Sequence, residues 1–320
     1  MKQKKVTFAD IAAYTGFSKT TISRYFNNPD SLTLENQEKI THALDVLGYQ
    51  ENKLAKVLAN GKSEFVGIII PNLYLHYYSE MLNQLLSTYE KYNYKFLVFI
   101  GNNKKEIEEK YIHELMAYKI EGLIVLSNTI SSEELASYKL PVVTIERECD
   151  HVCSVSTDNY LGGVQATSLL IRNKCDVILH INSIFPDTLP TYGNLGNTYQ
   201  ETLTQLKNIF NEIEEKYPSQ KKGVFLANDT YASMFLNLIF QKYGKLPKDY
   251  QIVGFDDSPI ASEAILPITT VGQQIEKIAQ TAMELLVLQM NEMKKRKPAP
   301  LKEPVHKQIT PVLIRRDTTE

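Results

Sequence analysis

The chain has 320 residues, 43% apolar and 22% charged, with a formal net charge of −2, which excludes a disordered polypeptide and asks for more than one folded domain. Its longest apolar runs, FVGIII and ELLVL, fall far short of the roughly 18 residues of a membrane span. The start MKQKK leads into no apolar signal region, and three cysteines build no disulfide framework, so a cytoplasmic protein with no membrane partner is expected. Charge is uneven: residues 1–62 hold nine Lys or Arg against six Asp or Glu, and the remainder 26 against 31. An anionic polymer would therefore meet the N-terminal stretch.

Three short helices are predicted first. Phe8, Ile11, Ala12 and Thr15 share one helical face, and Gly16 follows where that helix would stop. Ser18 is a good N-cap for the second helix, whose inward face is Ile22 with Tyr25 or Phe26. The third opens near Thr33, buries Ile40, Ala43, Leu44 and Leu47, and ends at Gly48. A small residue at Ala12, a turn-permitting Gly16 and Ile22 at the joint give the spacing of a helix-turn-helix, with residues 19–27 as recognition helix. That helix, KTTISRYFNN from residue 19, is unusually polar. Such a face suits base edges and phosphates, for which Lys19, Thr20, Thr21, Ser23, Arg24 and Asn27 are the right kinds of residue. A merely solvated helix is the plain alternative, and the joint spacing argues against it. The next stretch, YQENKLAKVLANGKS, reads either as a linker or as a helix that forms on DNA, with Leu58 as an apolar wedge and Lys53, Lys56 and Lys62 near phosphates.

Over residues 5–63, VTFADIAAYTGFSKTTISRYFNN and LGYQENKLAKVLANGKS resemble, without a gap, the headpiece and hinge of the lactose/galactose repressor (LacI-type) transcription factors. The resemblance implies that Lys19 and Thr20 read bases, that Arg24 reads a base or the backbone, and that Leu58 is levered into the minor groove at the centre of a palindromic operator. Two hinges are needed for that wedge, so a homodimer is implied. The expected DNA-contacting set is Ser18, Lys19, Thr20, Thr21, Ser23, Arg24, Asn27, Asn52, Lys53, Ala55, Leu58 and Lys62.

Beyond residue 63, the runs FVGIII, KFLVFI, GLIVL, VVTI, VILHI, GVFLA and IVGF alternate with amphipathic helical segments such as the stripe Met81, Leu82, Leu85, Leu86 and Tyr89. This is the pattern of parallel sheets with helical crossovers. The expected fold is an α/β chain: an all-α headpiece and hinge (1–62), then a body (63–320) of two doubly wound subdomains, like the periplasmic sugar-binding proteins that the family's ligand-binding body resembles. Subdomain one is placed at about 63–158 and 273–300, subdomain two at about 159–270 and 302–318.

Ligands of such sheets sit at the carboxyl ends of strands. That logic nominates Tyr77 and Tyr78, Ser127 and Asn128, Glu146 and Arg147, Asn228, Asp256 and, near a crossing between subdomains, Gln273. Amides and carboxylates converging there suit a polyhydroxyl effector. Asp229 is read instead as a helix N-cap.

One stretch departs from the family. Relatives carry an Arg-x-x-Gly-Phe pattern after the strand equivalent to VILHI, whereas no Arg occurs here between Arg172 and Arg296. Only 41 residues separate VILHI from GVFLA, so the second subdomain is expected to be shortened, and Arg147 is nominated as a substitute anchor for a sugar acid or phosphate. CDHVC at 149–153 has no second cluster at zinc spacing, and no nucleophile elbow, phosphate loop or acid/base pair is present. No cofactor, metal or enzymatic activity is expected. The sequence reads as a dimeric repressor of carbohydrate-utilisation genes under a sugar-like effector. The alternatives are an effector-blind regulator and a sugar-metabolising or sugar-binding protein with an appended DNA-binding domain.

Overall fold

The computed structural model describes residues 6–50, 63–147, 150–182, 198–295 and 303–320. The chain divides into two compact units, Met1–Lys62 and Ser63–Glu320.

In the first unit α1 (Phe8–Thr15), α2 (Lys19–Asn27) and α3 (Leu34–Leu47) enclose Ile11, Ile22, Ile40 and Ala43, all fully buried. The helix starts are fixed locally. Thr7 donates its backbone N–H (2.8 Å) and hydroxyl (2.6 Å) to Asp10 Oδ2. Ser18 Oγ accepts from Thr21 N–H at 3.1 Å, and Thr33 Oγ1 from Asn36 N–H at 3.4 Å. α1 ends at Gly16 with φ +74°, a left-handed angle that would cost most other residues about 1–2 kcal/mol. The resulting turn sets Ile22 into the core shared by all three helices. The helix-turn-helix expected from Ala12, Gly16 and Ile22 is present.

The second unit alternates strands and helices in two lobes. One sheet is wholly parallel and contains β1 (Phe65–Ile70), β2 (Lys95–Ile100), β3 (Gly122–Val125), β4 (Val142–Ile145), β5 (Cys153–Thr157) and β10 (His306–Ile309), in the order β10-β5-β4-β3-β1-β2. The other contains β6 (Val177–Ile181), β7 (Lys222–Leu226), β8 (Tyr250–Asp256), β9 (Thr269–Gly272) and antiparallel β11 (Val312–Ile314), in the order β11-β9-β8-β7-β6. Helix Ile275–Met293 packs Ile278, Ala282, Met283 and Leu286 onto the first sheet, and helix Asp229–Tyr243 packs Phe235 and Ile239 onto the second. Helices on both faces explain why runs such as FVGIII are continuously apolar instead of alternating.

The backbone crosses between lobes near Asp158, near Gln273 and Gln274, and near Thr310 and Pro311. These crossings are tied together: Asp158 N–H donates to the Ile309 carbonyl at 2.9 Å, and Gln274 Nε2 to the Thr310 carbonyl at 2.5 Å. The third crossing corrects one sequence expectation. The segment 302–318 is shared between lobes, because His306–Ile309 pairs with β5 before β11 joins the second sheet. Among the described residues a single helix, Tyr199–Lys216, lies between β6 and β7. No described helix is long and apolar enough to cross a membrane.

Candidate functional site

Two surfaces carry the nominated residues. On α2, Ile22, Tyr25 and Phe26 face the core, and the Tyr25 hydroxyl meets Thr41 Oγ1 of α3 at 2.8 Å. The outward residues divide into two kinds. Ser18 and Thr21 bond each other at 2.9 Å, and Asn27 Nδ2 donates to Ser23 Oγ at 3.2 Å, so these four shape the helix start and surface. Lys19, Thr20 and Arg24 are exposed and make no side-chain hydrogen bond among the described residues. Their donors are available to a polyanion. The nominated Asn52, Lys53, Ala55, Leu58 and Lys62 lie outside the described residues.

The second surface is a cleft within the body, a cavity of about 400 Å³ at the carboxyl ends of strands from both lobes. Lobe one supplies Tyr77 and Tyr78 from the helix after β1, Asn128 after β3 and Glu146 after β4. Lobe two supplies Asn228 after β7, Asp256 at the end of β8 and, at a crossing, Gln273. Sequence reasoning missed His180 and Phe225, which stack at 4.8 Å, together with Phe255, Tyr231, Asn159 and Asn182. Leu75 and Ala227 complete the lining.

Two nominated residues are turned away. Ser127 is buried and donates to Glu108 Oε2 at 2.5 Å. Arg147 sends its Nη1 to the Ser127 carbonyl at 3.3 Å and is not part of the cavity wall. Glu146 has φ +55°, and this left-handed step redirects the chain immediately before Arg147. The cap assignment is also corrected. Asn228 Oδ1 accepts Tyr231 N–H at 2.8 Å, so Asn228 is the N-cap of helix Asp229–Tyr243 while still facing the cavity. Asp229, one residue on, is fully buried and accepts from Thr270 Oγ1 at 2.6 Å and Ser258 N–H at 2.8 Å.

The carboxyl groups are linked across the crossing. Glu146 Oε1 accepts from Thr157 N–H and Oγ1, each at 2.8 Å. Thr157 Oγ1 also lies 2.8 Å from Gln273 Oε1, and Gln273 Nε2 donates to Asp256 Oδ1 at 2.5 Å. Burial raises the pKa of Glu146 despite these donors, and raises Asp256 well above the carboxylate range with the charge of Asp229 adding to it. Asp229 is pushed up to about 7 by burial. Burial thus favours the protonated form of Asp256, which would add a hydrogen-bond donor to a cavity rich in acceptors. Burial lowers the pKa of His180 and so favours its uncharged ring. Asp256 (φ +107°), Asp257 (φ +55°) and Gln274 (φ +57°) share the left-handed backbone of Glu146, a concentration of strained positions around one cleft.

Comparison with known proteins covers both surfaces. Residues 7–52 match the model of bacterial regulatory proteins of the lacI family, residues 63–182 that of periplasmic binding proteins and sugar binding domains of the LacI family, and residues 187–319 a periplasmic binding protein-like domain. The chain is 28% identical over 290 residues to the sucrose operon repressor of Streptococcus mutans, covering 87% of this chain and 91% of that protein. It is 26% identical over 300 residues to the ribose operon repressor of Bacillus subtilis, covering 88% and 90%. Among solved structures, a lac repressor dimer bound to operator and the anti-inducer ONPF superposes with a TM-score of 0.81 at 20% identity, covering 99% of both chains.

Proposed function

The chain belongs to the LacI family of bacterial regulatory proteins, and from that premise we propose that it is a cytoplasmic, sequence-specific repressor of carbohydrate-utilisation genes, not an enzyme, controlled by a small sugar-like effector. One observation carries the reading: a helix-turn-helix with an outward Lys19, Thr20 and Arg24 shares a chain with a strand-end cleft lined by amides, carboxyls and aromatic rings. The sucrose and ribose operon repressors among its relatives support the carbohydrate context. The chain acts as a homodimer on a palindromic operator, with Asn52, Lys53, Ala55, Leu58 and Lys62 at the hinge and Leu58 entering the minor groove. Effector and operator are coupled through the two lobes: a ligand that binds one arrangement of the lobes more tightly shifts the population of DNA-binding dimers.

Recognition by α2 makes a prediction about sequence choice. Exchange of Lys19 or Thr20 for Ala removes base contacts, each costing about 1–3 kcal/mol and relaxing the preference at its own operator position. Exchange of Lys62, assigned to phosphate, weakens all sequences alike and lowers the salt dependence. Selection of sites from a random pool reads this difference, and an unaltered motif with the Lys19 and Thr20 variants would remove them from the reading set.

A further inference from the structure

Among the described residues the cleft is lined by carboxyl groups with no opposing cation. Among the described residues no Lys or Arg lines it, and Arg147 is engaged with the Ser127 carbonyl. His180 holds the Phe225 carbonyl through Nδ1 at 3.1 Å, and burial favours its uncharged form. A phosphate or carboxylate entering this space would lose its hydration and find Glu146 beside it, with nothing of opposite charge.

Glu146 is poised differently. Its Oε1 is satisfied twice by Thr157, whereas Oε2 has one neutral donor among the described residues, Asn159 Nδ2 at 3.3 Å. The Tyr77 hydroxyl is enclosed and has no hydrogen-bond partner among the described residues, and Tyr77 as a whole is only 7% exposed. It lies within the field of Glu146 and Asp256, both of which oppose its ionisation. A group able to donate several hydrogen bonds while bringing positive charge would answer the open oxygen of Glu146 and the orphaned Tyr77 oxygen together. The ring of Tyr78 in the same wall favours a cation further.

We propose that the effector carries a protonated amine, as an amino sugar or comparable polyhydroxylated amine does, seated with its ammonium against Glu146 and the Tyr77 hydroxyl, and that phosphorylated and acidic sugars are excluded. The proposal rests on the reading of the cleft as the effector site and narrows the class of ligand it accepts.

Matched sets test it on the full-length protein. For each of the gluco, galacto and manno configurations, the free sugar, its 2-amino-2-deoxy form, the N-acetylated form and the 6-phosphate are titrated at neutral pH, where the raised Glu146 pKa leaves more of its carboxylate ionised than acidic pH would, with thermal shift and operator binding as readouts. In one configuration the amine binds about tenfold or more tightly than the free and N-acetylated sugars, the gain of a charge-assisted contact, and the 6-phosphate gives no shift. Glu146→Gln abolishes that advantage, and Tyr77→Phe reduces it while keeping the ring. The unliganded melting temperature of each variant reports on folding, and the wild-type comparison needs no variant. A free sugar or 6-phosphate that binds as tightly as its amine overturns the amine assignment and leaves the sensor reading standing. An amine advantage that survives Glu146→Gln overturns it too. No response to any compound, in melting or in operator binding, overturns the assignment and the sensor reading together.

Discussion

Replacing Ile22 by Asp is expected to abolish operator binding outright while leaving the melting of the body unchanged. Ile22 is fully buried and belongs to a central cluster of four such residues among those described in the helical unit. An unpaired carboxylate at that position costs more than about 4 kcal/mol, comparable to the whole stability of so small a core, which rarely exceeds ~3–5 kcal/mol. The milder Ile22→Val costs about 0.5–1.5 kcal/mol and should leave the headpiece folded. Because Ser63–Glu320 forms a compact unit of its own, its thermal transition serves as the internal control. Binding of the Asp variant to operator within tenfold of wild type would show that α2 does not depend on this packing.

Asp256→Ala should weaken effector binding by ~2–3 kcal/mol, a loss of about thirtyfold to two-hundredfold, whereas Asp256→Asn should stay within about tenfold of wild type. The contrast follows from the chemistry of the site. Asp256 is only 4% exposed, accepts from Gln273 Nε2 at 2.5 Å and has its pKa raised well above the carboxylate range by burial, which favours the protonated form. An amide reproduces one acceptor and one donor and, like Asp, tolerates the φ of +107° found here. Alanine leaves Gln273 Nε2 without its partner and removes a donor from the cavity. Calorimetric titration of both variants decides it. Equal, severe losses in both would mean that Asp256 acts as a carboxylate and that its burial does not keep the proton.

The headpiece was legible because its signals are local. Gly16, Ser18, Thr33 and Gly48 mark helix ends by their own backbone and capping chemistry, and Ile11, Ile22 and Ile40 fall at helical spacing. Strands in the body were legible where burial on both faces demanded apolar runs. β5 escaped notice because its CSVST sequence is polar yet buried, with Ser154 Oγ paired to His306 Nδ1 at 2.8 Å. β10 was hidden for the opposite reason, as His306, Lys307 and Gln308 are exposed at an edge. Strand ends gave the correct region for the cleft but not the direction of each side chain. Whether Asn228 or Asp229 caps the helix depends on the extended backbone at Asn228 (φ −157°), and the side chain of Arg147 follows the left-handed turn at Glu146. Neither has a signature in residue type. His180, Phe225 and Phe255 sit inside or at the ends of apolar runs, where nothing in the sequence separates a ring facing the cleft from one facing the core.

The central claim is that one chain joins sequence-specific DNA binding to a small-molecule sensor. The most direct test is a fluorescence anisotropy titration of the full-length protein on the operator obtained by site selection, repeated with each member of a broad panel of sugars and amino sugars. The account predicts tight, salt-sensitive binding to a two-fold symmetric site, shifted by at least one compound in wild type and, in Asp256→Ala, only at concentrations about thirtyfold or more higher. Operator affinity that is the same with every compound, in a protein whose melting temperature no compound changes, would contradict it and leave a regulator that binds DNA without sensing.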